Sequence, residues 1–498
     1  MASLWLTLPI IIPVLTSVVG YFLRSYVRGL SLLSGFSALL VLLITVCLLQ
    51  EVLANGPQAV AFGRWIAPFG IVFVADSFSA VMVFVSAIIG MVIVIYAIAD
   101  ISSRPSYGLY HVLFHVLLAG VYGAFLTGDM FNLYVWFEVM LIASFGLMVL
   151  DAQRRQIDGA IKYVTLNLIS TMTLLLAIGV LYGVTGTLNL ADLHHKVATL
   201  PFETSALLAV LFMFAFALKS ALFPLFAWLP ASYHTLPSAV VALFAALLTK
   251  VGVYALFRLF TLVFPLDQSG WQEMLLWVAG LTMLTGVLGA ASQYSVKRIL
   301  SFHIISQIGY MVLGLALYTP LAIAGAVFYL IHHIIVKANL FLIGGVLQRR
   351  CGTDQLRQLG GAYQAMPGLA FLFIIPAFSL AGFPPLSGFW GKFLVIKAGF
   401  VTQHYLLAAV ALVVGLLTVF SMTKIWSEAF WKAPPQKLQL TPLSPGTRWL
   451  YYVPMLTLTS ITICIGLAAE PFYDVAEQAA EQLLNPERYL EAVLGGRP

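Results

Sequence analysis

Apolar residues along this chain fall in long unbroken runs rather than in stripes at helical spacing. About fourteen runs approach the roughly 20 residues that a helix needs to cross a bilayer, from Leu4–Leu23 at the start to Leu450–Leu467 near the end. Lipid offers the backbone no hydrogen-bond partner, so spans are helices or closed barrels. Barrel strands are about ten residues long and alternate in polarity; these runs do neither. The expected fold is all-α and integral to the membrane, with about fourteen transmembrane helices in one polytopic domain over residues 1–498. The connections are short, and none is long enough to fold as a soluble domain. The first run has no Lys or Arg before Arg24 and no small-residue cleavage site, so it reads as a span rather than a leader. The C-terminal segment 471–498 is amphipathic and acidic and reads as a helix lying on the membrane surface.

Two of the runs look broken. In the seventh, Ala206–Leu229, Pro224 cannot donate to the carbonyl of Ser220, which frees a carbonyl beside Lys219. In the twelfth, Leu369–Ile396, the segment from Gly382 to Gly388 carries Pro384 and Pro385 just before Lys392. Interrupted helices expose backbone groups that are tolerated at membrane depth only where protein or water satisfies them. Transporters place such breaks in corresponding positions of two repeats. The breaks here are five spans apart, which predicts two inverted five-helix repeats, 108–264 and 271–430.

Composition sharpens this picture. Hydrophobic residues make up 61% of the chain and charged residues 9%, against about 25% charged in a soluble domain, so a soluble fold is excluded. The three cysteines, Cys47, Cys351 and Cys464, match no metal or disulfide pattern. Nothing resembles a phosphate loop, a CxxC motif or a haem site, so no cofactor, metal or nucleic acid is expected, and the energy source is an ion gradient or a partner. Numbering loops alternately, 15 basic residues follow odd-numbered spans and 6 lie on the other side. Lys297 and Lys437 count with the first set, Arg258 and Arg497 with the second. The positive-inside rule puts the first set in the cytoplasm. Both termini then face outward from a bacterial inner membrane.

Four lysines belong to neither loop set: Lys219, Lys250, Lys337 and Lys392. One acid, Glu138, also lies deep in a span. A charge at the centre of a membrane helix costs about 2.5–3.5 kcal/mol on insertion scales. Snorkelling relieves a lysine near a helix end, which fits Lys392, but it fails for central lysines and for the short Glu138. Lysine suits proton work because its ammonium can release a proton, as arginine does not. Glu138 and Lys219 form the candidate pair. His333 and Lys337 are four apart and share a helix face; His332 is equally a packing histidine. His303, Ser306, Gln307 and Tyr310 form a polar stripe that reads either as a water chain or as a joint between helices. Asp129 reads as a helix N-cap.

These residues resemble a known family. The stretch Phe125-Leu-Thr-Gly-Asp-Met-Phe-Asn-Leu-Tyr-Val-Trp-Phe-Glu138 is similar to the fifth-helix motif of antiporter-like subunits. Lys219 with its Phe-Pro-Leu-Phe-Ala-Trp-Leu-Pro230 segment, Lys297-Arg-Ile-Leu-Ser-Phe-His303, His332-His-Ile-Ile-Val-Lys337 and Ala381-Gly-Phe-Pro-Pro-Leu-Ser-Gly-Phe389 match the same superfamily. It is shared by Mrp antiporters and the membrane arm of respiratory complex I, and within it the resemblance is closest to the D-type subunits of Mrp Na⁺/H⁺ antiporters. Lys392 stands where the complex I M-type subunit has an acid, which disfavours that type. The resemblance implies a transporter subunit rather than an enzyme, working in a hetero-oligomer of six or seven different subunits. It also implies a proton-translocating axis of Glu138, Lys219, Lys250, His333, Lys337 and Lys392, with helix breaks at Pro224, Pro384 and Pro385. The alternative is a proton-pumping subunit of a quinone- or hydrogenase-linked redox complex.

Overall fold

In the computed structural model, which describes residues 2–102, 104, 106–434 and 440–495, helices carry nearly all of the chain. Lys437 and Arg497 lie outside the described residues. The helices α1 (Ala2–Phe22) and α2 (Val27–Asn55) come first. A hairpin of β1 (Gln58–Ala61) and β2 (Val72–Ala75), pairing antiparallel with Gln58 opposite Ala75, leads into α3 (Ser77–Asp100). Then follow α4 (Tyr107–Leu126), α5 (Met130–Met148), α6 (Arg154–Thr185), the short amphipathic α7 (Leu190–Ala198), α8 (Phe202–Ser220), α9 (Trp228–Ser232) and α10 (Ser238–Leu262). After the single turn α11 (Leu266–Ser269) come α12 (Gln272–Ser292), α13 (Val296–Leu317), α14 (Pro320–Cys351) and the turn α15 (Ala362–Ala365). The chain closes with α16 (Pro367–Ala381), α17 (Ser387–Val401), α18 (Tyr405–Ile425), α19 (Pro445–Leu467), α20 (Ala469–Leu484) and α21 (Glu487–Leu494).

Among the described residues, 13 helices are long and apolar enough to span a membrane. The fourteenth expected span is the broken pair α16–α17, each half too short to cross alone. The hydrophobic interior is built around α10, α13 and α14, which are buried on nearly every side, while α1, α2, α6, α18 and α19 turn apolar faces outward, as lipid-facing helices do.

Both breaks occur where the prolines place them. Helix α8 stops at Ser220, Ala221 takes a left-handed conformation (φ 58°), and Pro224 lies in the irregular stretch before α9. Helix α16 stops at Ala381, Gly382 turns at φ 97°, and α17 starts after Pro384 and Pro385. Element order recurs around them: three long helices, a broken one and a further long one, first over α4–α10 and then over α12–α18. A short ladder recurs with it. Met130 N–H donates to Leu188 and Leu190 N–H to Gly128; Val296 N–H donates to Asp354 and Leu356 N–H to Tyr294. The step from 130 to 296 equals that from 188 to 354.

Several expectations need correction. Arg258, counted above with a loop, lies inside α10, which runs on to Leu262, and is only 6% exposed. Lys297 is likewise a buried helix residue. The first half of the broken seventh span ends at Ser220, and α9 after the break carries Leu229. The amphipathic tail packs on the protein: α20 buries Ala476, Ala479, Ala480 and Leu483 against α14 and α3, and α21 touches β1 and α7. The hairpin also meets α1, while the turn just past the far end of α1 packs the Arg24 backbone beside Gly108 of α4. The start of α1 and the C-terminal helices therefore share one face.

Candidate functional site

Lys219 is the next-to-last residue of α8, placed at the break by the sequence that ends the helix. Trp228 Nε1 donates to the carbonyl of Leu218 (3.0 Å), and Phe223 N–H donates to Thr282 Oγ1 (3.0 Å), so the break is fixed from both sides. The Lys219 ammonium stands 5.4 Å from the centre of the Phe137 ring. Beside it lies a cavity of about 20 Å³ lined by Phe137, Tyr163, Asn167 and Trp228, room for about one water. Glu138 is halfway along α5. No ion pair joins it to Lys219 among the described residues, yet its charge is felt there. Glu138 is only half-buried in the chain alone. It shares its face of α5 with Phe131, Val135, Ile142 and Phe145, all exposed.

The end of α8 presses on α10 at Gly252. A Cβ there would lie 2.7 Å from Ser220 Oγ and 2.9 Å from its backbone nitrogen, so only glycine admits this approach. Two residues earlier on α10, Lys250 is fully buried and donates to the Ala245 carbonyl. Lys337, in the middle of α14, donates to the Leu300 carbonyl of α13 (3.1 Å). His333, one turn before it, lies within electrostatic reach of Lys250, Lys337 and Lys392. His303 of α13 lies within reach of Lys337 and Lys392. Both ring nitrogens of His303 and of His333 are buried without a hydrogen-bond partner among the described residues.

Lys392 shows what the second break does. It donates to the carbonyls of Leu380 (2.8 Å) and Ala381 (3.3 Å), the last two of α16, which the break leaves free of helical partners. The rings of Tyr310 and Tyr329 flank the ammonium, with Tyr310 at 4.7 Å. Tyr329 donates in turn to Gln307 Oε1. His332 instead bonds Ser387 through Nδ1 (2.7 Å), which ties α14 to the start of α17.

The structure thus gathers Lys250, His333, Lys337 and Lys392 into one group and sets Lys219 with Glu138 beside it, joined through the Gly252 contact. Pro224, Pro384 and Pro385 lie in the breaks, and Asp129 caps α5 through Asn132 N–H (2.8 Å). Sequence reasoning left His303 as an undecided stripe residue and passed over Tyr329. It missed two further buried charge groupings. Asp100 accepts from Ala239 N–H at the start of α10 (3.1 Å), and Lys297 donates to the Leu236 carbonyl (2.8 Å). Asp76 pairs with Arg258. The signal for Asp76 was present in its position just before Ser77-Phe-Ser79, a helix-capping pattern.

A helical bundle with two broken spans and lysines buried beside the breaks defines a membrane transport subunit of the antiporter type. Known proteins bear this out. Residues 127–418 match the family described as NADH:quinone oxidoreductase/Mrp antiporter, transmembrane. The D-type Na⁺/H⁺ antiporter subunit of Alkalihalophilus pseudofirmus is 48% identical, and that of Bacillus subtilis 39%, each over 98% of both chains. Among solved structures, a chain of the Mrp complex from Dietzia sp. superposes with a TM-score of 0.93 at 33% identity, covering 98% of this chain and 99% of that one. A chain of respiratory complex I from Thermus thermophilus gives 0.80 at 27% identity, covering 97% of this chain and all of that one. The chain belongs to the family of D-type subunits of Mrp Na⁺/H⁺ antiporters, multi-pass membrane transporter subunits of a multisubunit complex.

Proposed function

We propose that this subunit carries protons across the membrane along a mid-membrane row of Glu138, Lys219, Lys250, His333, Lys337 and Lys392, coupled in the assembled antiporter to Na⁺ moving the other way. One observation carries the reading: four lysines lie inside the protein at or between two helix breaks, and Lys337 and His333 are each within electrostatic reach of both Lys250 and Lys392, with the His333 ring lacking a hydrogen-bond partner among the described residues. Such groups are paired by water in protein interiors. Lysine, histidine and water together form a chain on which protons hop. Segments 108–264 and 271–430 are the two inverted repeats that each supply one break, and the recurring ladder supports that division. The face rich in basic loops is cytoplasmic, and the one bearing both termini is extracytoplasmic.

Glu138 points to the partner. An acid in a stripe of exposed apolar side chains is costly against lipid, so this face of α5 is covered by a neighbouring subunit in the complex. The test is Na⁺-driven proton movement in vesicles holding the assembled complex, followed with a pH-sensitive dye. Glu138→Ala is expected to abolish exchange without loss of assembly, and Glu138→Asp to keep part of it. Near-normal exchange in Glu138→Ala would remove the acid from the row.

A further inference from the structure

A charge cluster at the far end of α10 is left unused by the lysine row. Lys250, Tyr254 and Arg258 are four residues apart and follow one face of α10 from mid-membrane to the face that bears the termini. Arg258 Nη1 and Asp76 Oδ2 are 2.6 Å apart, with side chains only 7% and 1% exposed. Asp76 is fixed at the start of α3, accepting from Ser79 N–H (2.8 Å) and Ser79 Oγ (2.9 Å). Arg258 Nη2 donates to the Tyr254 hydroxyl (3.1 Å), which donates to the Phe125 carbonyl (2.7 Å).

The C-terminal helices cover the pair. The Tyr489 ring of α21 lies 5.1 Å from the guanidinium carbon, and Gln482 of α20 accepts from Ser77 N–H (2.8 Å). The charge of Asp129, at the start of α5, also reaches Tyr489. Burial alone would raise the Asp76 carboxyl; the Arg258 guanidinium and the Ser79 hydrogen bonds together outweigh it and hold the carboxyl below the usual carboxylate range. Both partners are therefore permanently charged.

Beneath the pair is a cavity of about 10 Å³ lined by Thr127, Leu133, Phe216, Tyr254 and Arg258. It is at the lower limit for one water. Phe216 and Phe137 meet at 5.9 Å between their ring centres. Phe216 is one turn from Lys219, and Phe137 lines the cavity beside that lysine. Arg258 and Phe216 thus line the first cavity, Phe137 and Lys219 line the second, and the two phenylalanine rings meet between them.

We propose that the Asp76–Arg258 pair is the outer gate of this subunit: closed, it shuts the Lys219 station off from water on the face bearing the termini; open, it admits a file of water along which protons reach Lys219. The inference rests on the proposed role of Lys219. Neither gate residue gives up a proton. A role as a mere staple explains the pair poorly, because a buried ion pair is often no more stabilising than apolar groups of the same shape.

The test uses the assembled complex in proteoliposomes with Asp76→Asn and Arg258→Gln combined, which removes both charges and strands neither. Passive proton flux is measured under an imposed pH gradient without Na⁺, beside coupled antiport. Expected are wild-type assembly, a severalfold rise in flux, weaker coupling, and return of the flux to wild-type level when Lys219→Ala is added. Wild-type flux and antiport in the double variant would overturn the gate and leave the lysine row standing. A leak that survives Lys219→Ala would also overturn it, since water would then bypass the row; the row itself is judged separately by Glu138→Ala in an otherwise unaltered chain. If the double variant does not assemble, Tyr489→Leu uncovers the guanidinium without changing a charge. It is expected to leak, and wild-type flux there overturns the gate.

Discussion

Lys219 and Lys392 stand at corresponding breaks but are held in different ways. Lys392 comes after its break and reaches back to two carbonyls of α16. Lys219 comes before its break, with the Phe137 ring and a one-water cavity as its surroundings. If Lys219 only balanced the charge of Glu138, arginine would serve as well. If it exchanges a proton, arginine fails, because the guanidinium stays protonated in proteins. Lys219→Arg is expected to lower antiport in assembled complexes by about 10²-fold or more, the scale on which a positioned proton donor acts, and Lys219→Ala to be as severe. Normal rates in Lys219→Arg would reduce the lysine to a fixed charge. Residues of this kind were legible in the sequence because a charge inside an apolar run is conspicuous. Arg258 and Lys297 were not. Arg258 directly follows an apolar run and Lys297 stands three residues before the next one, positions where a basic residue looks like part of a loop, and only packing shows that the helix and the protein interior include it.

At the level of elements, prolines and glycines made both breaks readable, since Pro224 and the Gly382–Gly388 segment forbid a continuous helix. The hairpin and α7 were not readable. Strands of four residues and a helix of nine give too few positions for a period to emerge, and both draw their place from neighbours: Gly128 N–H reaches the Val72 carbonyl, and Asn189 caps α7. The tail was recognised as amphipathic, but its partner was not, because an apolar stripe fits a membrane surface and a helix bundle equally well. The recurring ladder has a consequence for topology. An odd number of spans separates its two copies, so the 128–130/188–190 copy and the 294–296/354–356 copy lie on opposite faces. In a chain lacking Cys47, Cys351 and Cys464, single cysteines at Arg155 and Thr353 should react with impermeant thiol reagents only from the cytoplasm. One at Glu203 should react only from outside. The reverse pattern would turn the whole assignment over.

At the scale of the whole molecule, the lipid-side face of α5 carries a mismatch: the half-buried Glu138 stands among the exposed apolar Phe131, Val135, Ile142 and Phe145. A carboxylate facing hydrocarbon costs about 2.5–3.5 kcal/mol on insertion scales, a large share of the roughly 5–15 kcal/mol that typically holds a folded protein together. A neighbouring subunit that supplies polar groups or water would remove that cost and extend the row beyond this chain. Alone in a bilayer, Glu138 would instead draw in water or distort the lipid around it, and that water screens its charge from Lys219. The purified chain is therefore expected to insert and fold in vesicles, with helix content matching that of the same chain in the complex, but to show little Na⁺-dependent proton movement until the remaining subunits are restored. Robust exchange by the chain alone would mean that Glu138 works uncovered, and that the path across the membrane is complete within these fourteen spans.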